Sequence, residues 1–146
     1  MVGGSERLDH RGLDLLLAAW IVALFSTLGA LFIGEVMGQA PCNLCWFQRA
    51  FMFPLAVILA VACYISDTGV WRYALPVAAL GGLAAFYHSL LYAGVIPAGL
   101  EPCGDGASCS SSNMLVFGRV PIPFLSFGAF AAITALLVVI RRRFIA

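Results

Sequence analysis

The chain has no lysine, and only 10% of its 146 residues are charged. A soluble domain carries about 25% charged residues, so an ordinary cytosolic enzyme is excluded. Eight arginines against seven acidic residues leave a formal net charge of +1, which excludes a polyanion-binding surface and therefore a nucleic-acid partner. The sequence also lacks the paired histidines of a haem site and the glycine-rich loop of a dinucleotide fold, so neither haem nor flavin is supported.

Hydrophobic residues make up 62% of the chain, and its mean hydropathy is +1.00. No soluble core of this size could bury so many apolar side chains, so the chain is predicted to be an integral membrane protein. A helix needs about 20 apolar residues to cross a bilayer. Four runs are long enough, at 13–33, 46–65, 73–96 and 122–140. We predict one all-α membrane domain over 1–146, a four-helix transmembrane bundle with two outward-facing loops that contain cysteines.

The first run could also belong to a cleaved signal peptide, because Gly38-Gln39-Ala40 loosely resembles a cleavage site. The apolar core of a signal peptide has about 7 to 15 residues, fewer than this run. We therefore keep the run as the first of four spans.

The arginines predict the orientation of the spans, because cytoplasmic loops retain most of the positive charge of a membrane protein. The opposite side has only Arg49 and Arg119, both close to predicted helix ends. We expect both termini in the cytoplasm and the loops 34–41 and 97–121 on the outer side. The six arginines on the cytoplasmic side are Arg7, Arg11, Arg72, Arg141, Arg142 and Arg143.

Four of the five cysteines fall at the outer side, where disulfides form and persist. They form two pairs along the chain, Cys42 with Cys45 and Cys103 with Cys109. The fifth, Cys63, lies in the middle of the second span. A lone cysteine there is predicted to be a small apolar packing residue.

The first pair forms a C-x-x-C sequence where the second span begins, in the segment PCNLCWFQR at 41–49. Free amide groups and the dipole at a helix N-terminus favour a thiolate, the species that attacks disulfides, so this pair is predicted to be reactive. Residues three and four apart share one face of a helix. Cys45, Gln48 and Arg49 should therefore cluster about one turn deeper than Cys42.

Arg49 needs a reason to lie so close to the membrane interface, because a buried arginine is costly there. It could extend outward to lipid headgroups. Its position one turn below a C-x-x-C favours a polar, planar or anionic partner instead, because the guanidinium offers a rigid fork of donors to carbonyl or oxyanion oxygens.

The second pair, Cys103 and Cys109, lies in the glycine- and serine-rich segment 102–113, which is predicted to be mobile and exposed to water. Two glycines between the cysteines let the chain fold back, so a disulfide here would be open to exchange with an incoming thiol. A passive staple of the loop is the alternative. Zinc is a further alternative for four cysteines, but the five-residue spacing is unusual for zinc, and we predict no metal site.

Two ionisable residues are further candidates. His88, in the third span, is either hydrogen-bonded between helices or faces the end of the second span and assists proton transfer there. Glu35, just outside the first span, is predicted to be a solvated carboxylate at the interface.

Together these residues resemble the DsbB family, the bacterial disulfide bond formation proteins of the inner membrane. The segment CNLCWFQR at 42–49 matches the family pattern C-x-L-C-x-x-[QE]-R, and PIPFLS at 121–126 resembles the start of the family's last helix. The resemblance extends from the first span to the fourth. The interval between Cys103 and Cys109 is shorter than in the best-known members and is closer to a BdbC-like branch of the family.

The resemblance implies a thiol:quinone oxidoreductase in the bacterial cytoplasmic (inner) membrane. Members of the family reoxidise a periplasmic dithiol oxidase of thioredoxin fold, DsbA, and pass the electrons to membrane quinone. For this chain it implies a DsbA-like partner, contact with membrane lipid, and quinone as the cofactor, either ubiquinone or menaquinone.

The resemblance also implies a role for each site residue. Cys103 would form a mixed disulfide with the partner, and Cys109 would be its companion. The electrons would then reach the inner pair, Cys42 and Cys45, and Arg49 would bind a ring carbonyl of the quinone. The implied catalytic residues are Cys42, Cys45, Cys103 and Cys109, and the implied quinone-binding residues are Cys45, Gln48, Arg49 and His88.

Two other functions remain open from the sequence. A thiol carrier working in the opposite direction would need reactive cysteines accessible from the cytoplasm, and only Cys63 lies within a span. A non-enzymatic four-helix scaffold, with disulfides that brace its loops, would need no quinone and no special role for Arg49. The spacing also leaves open whether the resting disulfides form within the two pairs or between them.

Overall fold

The computed structural model describes residues 3–100, 109 and 115–145, with side chains described from His10 onward except that of Ala98. All four long helices are long and apolar enough to cross a membrane. The prediction of a four-helix transmembrane bundle is confirmed. The helices are α1 (Gly3–Leu31), α2 (Asn43–Tyr64), α3 (Trp71–Tyr92) and α4 (Ile122–Ile145).

Shorter elements lie between the helices. A π-helical turn, Phe32–Val36, extends α1, and 3-10 turns cover Thr68–Val70 and Ala98–Leu100. The strands β1 (Leu115–Val116) and β2 (Val120–Pro121) form an antiparallel pair directly before α4.

The helices form a closed ring in which α1 packs against α2 and α4, and α3 packs against the same two helices. Buried positions in each helix recur every three or four residues, the spacing of left-handed bundle packing. On its inner face α3 presents small residues, which let the helices approach closely. The buried residues of α3 in the core are Ala74, Ala78, Gly81 and Ala85, and those of α4 are Phe130, Ile133, Leu137 and Ile140.

Gly81 marks a close approach between α3 and α4. A Cβ atom built there would overlap the ring of Phe130, which is itself fully buried. We expect Gly81→Ala to lower the free energy of unfolding in detergent by about 1–3 kcal/mol, because the added methyl group must displace a buried ring. Denaturant unfolding followed by circular dichroism measures this change.

Gly82→Ala is the matched control for this substitution. Among the described residues, a Cβ atom at Gly82 would meet the Cβ atom of Phe130, at an ordinary contact distance of 3.5 Å. Equal losses of stability in the two variants would contradict the packing described here.

Several helix ends differ from the predicted spans. The third span was expected to reach residue 96, but α3 ends at Tyr92, because Gly94 adopts a left-handed backbone with φ +75°. The second begins at Asn43, three residues before the predicted start. The first runs from His10 to Val36 as a candidate span, longer than 13–33. The fourth continues to Ile145, beyond residue 140, with its terminal arginines exposed.

Arginines gather at one end of the bundle. The guanidinium carbons of Arg72 and Arg141 lie 5.6 and 5.5 Å from the ring centroid of Trp71. This contact joins the α2–α3 connection to the last turns of α4. The C-x-x-C sequence lies at the opposite end, at the start of α2.

Candidate functional site

Cys42 ends the connection between α1 and α2 and caps α2. Its backbone is extended, and its sulfur accepts a hydrogen bond from the amide nitrogen of Cys45 at 3.4 Å. Cys45 lies in the first turn of the helix, so the two sulfur atoms are 3.1 Å apart. Both thiols therefore lie at the N-terminus of a candidate membrane span, as the sequence predicted.

The Cys42 thiol is the proton donor of this pair. Its S–H group donates to the sulfur of Cys45, and this hydrogen bond together with burial raises the pKa of Cys42 from 9.0 to about 12. Burial and this hydrogen bond therefore disfavour the thiolate of Cys42, against the effect expected of the helix N-terminus. The donated hydrogen bond stabilises negative charge on the acceptor, Cys45.

His88 reaches this pair from α3. The side chain is fully buried, and its Nδ1 atom lies 2.9 Å from the side-chain nitrogen of Gln48. Its Nε2 atom is 3.2 Å from the carbonyl oxygen of Cys109 and 3.8 Å from the sulfur of Cys42. Because a carbonyl oxygen only accepts, Nε2 carries the proton and Nδ1 accepts from the Gln48 amide. The histidine is hydrogen-bonded between helices and also faces the end of α2, so both predicted placements hold.

Cys109 is buried at the same end of the bundle, with none of its surface exposed. It packs with Cys42, Leu44 and Leu91, and its side chain hydrogen-bonds to the Cys42 thiol. The prediction that the segment 102–113 is exposed to water is therefore wrong at Cys109. Cys109 of the second pair thus contacts Cys42 of the first pair. The spacing along the chain had left open whether the two pairs are in contact.

Cys103 lies outside the described residues, as does the rest of the segment 102–113 apart from Cys109. Its expected mixed disulfide with a partner stays a prediction.

A cavity of about 1140 Å³ opens beside Cys45, between α1, α2 and α4. Cys45, Gln48 and Arg49 enter its lining from one face of α2, so the predicted cluster is confirmed. Apolar side chains of α1 and α4 form much of the remaining wall. Phe25 and Leu125, at 70% and 55% exposure, lie where the cavity meets the lipid-facing surface.

Arg49 is held inside the bundle by α1. Its Nη2 atom donates to the carbonyl oxygen of Ala30 at 2.7 Å, and the guanidinium lies 5.6 Å from the ring centroid of Trp46. The side chain is half-buried and lines the cavity. A guanidinium has five N–H donors, so its bond to Ala30, the one that the described residues provide, leaves capacity for a ligand in the cavity.

Gly34 makes room for this arginine and was missed from the sequence. A Cβ atom at Gly34 would lie 2.9 Å from Nη2 of Arg49. Gly34 belongs to the π-helical turn that extends α1, an element that often marks a functional position. Glycines are common near helix ends, so the sequence alone did not indicate that Gly34 has a role at this site.

The other predicted residues are placed as follows. Among the described residues that line the cavity, Gln48 is the one that hydrogen-bonds to His88. His88 itself does not line the cavity. Glu35 is exposed on the π-helical turn, as expected for a solvated carboxylate. Cys63 is partly buried and packs against the core, as expected for an apolar packing residue.

Comparison with known proteins gives consistent matches. The family model described as "Disulfide bond formation protein DsbB" matches residues 11–140. A "Probable disulfide formation protein" of Metapseudomonas resinovorans is 64% identical over 131 residues, which cover 89% of this chain and 91% of the relative. "Disulfide bond formation protein C" of Bacillus subtilis (strain 168) is 41% identical over 118 residues, which cover 81% and 86%. No solved structure gives a significant match.

Proposed function

This chain belongs to the DsbB family of disulfide bond formation proteins, and from that premise we propose that it is a membrane thiol:quinone oxidoreductase. It reoxidises a DsbA-like dithiol oxidase of thioredoxin fold and passes the electrons to ubiquinone or menaquinone in the membrane. The cavity beside Cys45 is the observation that carries this proposal.

The residues around the cavity fit a quinone. Its wall is largely apolar and opens toward the lipid, which suits a ring with an isoprenoid tail. Its polar side chains at the start of α2 suit the ring carbonyls, since Arg49 and the Gln48 amide can donate hydrogen bonds. A bound quinone would supply the acceptor for two electrons and two protons.

The inner cysteines supply those electrons. Oxidation of the Cys42–Cys45 dithiol to a disulfide releases two electrons and two protons, and the sulfur atoms are already 3.1 Å apart. Cys45 lines the cavity and accepts the hydrogen bond of Cys42, so we assign it the nucleophilic role. Arg49 stabilises negative charge that develops on a carbonyl oxygen of the acceptor.

Electrons reach the inner pair by thiol–disulfide exchange. The dithiol of the partner reduces a Cys103–Cys109 disulfide and leaves with a disulfide of its own. The Cys103–Cys109 dithiol then reduces the Cys42–Cys45 disulfide. The buried contact between Cys109 and Cys42 supports this second exchange, and His88 holds the Cys109 backbone against α2.

We also propose the orientation. The arginine-rich end around Trp71 faces the cytoplasm and the cysteine-bearing end faces the outer side of the bacterial inner membrane, in agreement with the retention of positive charge in cytoplasmic loops. Both termini are then cytoplasmic, and residues 1–146 form one membrane domain.

Replacement of Arg49 tests the cavity as the quinone site. We expect Arg49→Ala to raise the KM for a soluble quinone by about 10- to 100-fold, because a charge-assisted hydrogen bond contributes about 1.5–3 kcal/mol. Quinone reduction by the purified protein, followed by absorbance, measures the change.

Arg49→Lys is the matched variant, since it keeps the charge but loses the planar fork of donors. Its KM should fall between those of the wild type and Arg49→Ala. Exchange between the partner and the outer cysteines should keep its rate in both variants. Unchanged KM values would contradict the assignment of the cavity.

A further inference from the structure

Among the described residues, Cys42, Cys45 and His88 bring two sulfur atoms and one imidazole nitrogen within 4.8 Å of one another. The two sulfurs are 3.1 Å apart, and Nε2 of His88 is 3.8 Å from the Cys42 sulfur. Cys42 and His88 are buried, and Cys45 is half-buried. Two thiolates and one imidazole form a donor set typical of thiophilic metal ions.

We propose that the reduced form of this protein binds one thiophilic d10 metal ion, with Zn²⁺ as the probe, through Cys42, Cys45 and His88. This site differs from the four-cysteine zinc site that the sequence disfavoured, because it draws its third ligand from α3. It requires neither a quinone nor a partner protein.

The distances suit tetrahedral coordination after a small adjustment. Zinc–sulfur bonds of about 2.3 Å and zinc–nitrogen bonds of about 2.0–2.1 Å place two sulfurs about 3.8 Å apart and a sulfur and a nitrogen about 3.6 Å apart. The distance between Cys42 and His88 already matches. The two sulfurs must separate by about 0.7 Å, which small rotations of the cysteine side chains allow.

The hydrogen bond with Gln48 allows His88 to act as a metal ligand. A coordinating imidazole presents the lone pair of one nitrogen and donates the N–H of the other to a neighbouring acceptor. In the described structure Nδ1 of His88 faces the Gln48 amide at 2.9 Å. Because that amide contains both a donor and an acceptor, a flip of the amide supports the tautomer protonated at Nδ1. Nε2 then gives up its hydrogen bond to the carbonyl oxygen of Cys109 and is free to bind a metal.

Charge and position also favour binding. Two thiolates neutralise a divalent cation, so the occupied site brings no net charge into the buried end of the bundle. Water is expected to supply the fourth ligand of a tetrahedral site.

Metal binding and disulfide formation exclude each other at this site. The metal replaces the two thiol protons, and a Cys42–Cys45 disulfide offers no thiolate. The ion is therefore expected to bind the reduced protein only and to hold the two thiols out of the exchange reaction. No electrons are transferred in this step.

The test uses the full chain in detergent, reduced with a phosphine that is then removed. Zn²⁺ affinity is measured by competition with a chromophoric chelator, and Co²⁺ serves as the spectroscopic probe. We expect one metal ion per chain, a thiolate-to-cobalt charge-transfer band, and no binding after oxidation of the cysteines. Bound Zn²⁺ should also protect Cys42 and Cys45 from alkylation.

Variants separate this site from adventitious binding. Cys45→Ser should abolish stoichiometric binding, and Gln48→Ala should weaken it by about 10- to 100-fold without removing a ligand. Cys63→Ser is the matched cysteine control and should bind as the wild type does. Arg49→Ala should also retain binding, which separates this proposal from the quinone site. Absence of stoichiometric binding to the reduced protein, or equal affinity in Cys45→Ser, would overturn the proposal.

Discussion

Cys45→Ser should abolish quinone reduction by this protein, with a loss on the order of 1,000-fold or more. Cys45 is the cysteine that lines the cavity, and it accepts the hydrogen bond of the Cys42 thiol. A serine hydroxyl cannot form the disulfide that releases the two electrons. The rate is measured by quinone absorbance with a reduced thioredoxin-fold donor in excess.

Cys63→Ser is the control for this substitution. It removes a cysteine that packs against the core, far along α2 from the cavity, and should leave the rate close to that of the wild type. A Cys45→Ser protein that still reduces quinone at the native rate would contradict the proposed electron path.

The second large effect is expected at the contact between the two cysteine pairs. In the double variant Cys45→Ser, Cys103→Ser, mild oxidation should link Cys42 to Cys109 at least 100-fold faster than cysteines that are not in contact. Their side chains are hydrogen-bonded in a buried cluster. Mass spectrometry of the linked peptides measures the product.

The triple variant Cys42→Ser, Cys45→Ser, Cys103→Ser is the matched control, because it retains Cys109 and Cys63 and removes the proposed contact. It should form no intramolecular link under the same conditions. Equal yields in the two proteins would show that the second exchange does not occur through Cys42 and Cys109.

The sequence was sufficient to predict the bundle, because four apolar runs of bilayer length leave few alternatives for a chain with so little charge. The resemblance to the DsbB family was likewise confirmed by the comparisons. The end of α3 was not predicted, since an apolar run continues past Tyr92 to Ile96. The helix ends there because Gly94 adopts a left-handed backbone conformation. The hydropathy of the sequence does not predict that conformation.

Within the site, local spacing predicted the contacts along α2. Cys45, Gln48 and Arg49 share one face because the helix repeats every 3.6 residues. Contacts between different helices could not be predicted from the spacing of residues along one helix. The bond from Arg49 to Ala30 requires a particular packing of α1 on α2, and the space at Gly34 becomes apparent only once that packing is known.

The protonation of Cys42 shows a similar limit. The helix N-terminus suggested a thiolate, but burial and the hydrogen bond donated to Cys45 act in the opposite direction and dominate at this residue. The relative strength of these effects depends on distances that the C-x-x-C spacing alone does not fix. The C-x-x-C spacing therefore identified Cys42 and Cys45 as a pair. The three-dimensional contacts show that the two thiols differ, since Cys42 donates the hydrogen bond and Cys45 accepts it.

Quinone reduction by the purified wild-type chain is the most direct test of the central claim. The protein in detergent is supplied with a reduced thioredoxin-fold donor and with ubiquinone or menaquinone analogues in separate reactions. The account predicts many turnovers, with one quinone reduced for each donor dithiol oxidised. Absence of turnover with every quinone, while Cys42, Cys45, Cys103 and Cys109 are intact, would contradict it and would favour a scaffold whose disulfides only brace its loops.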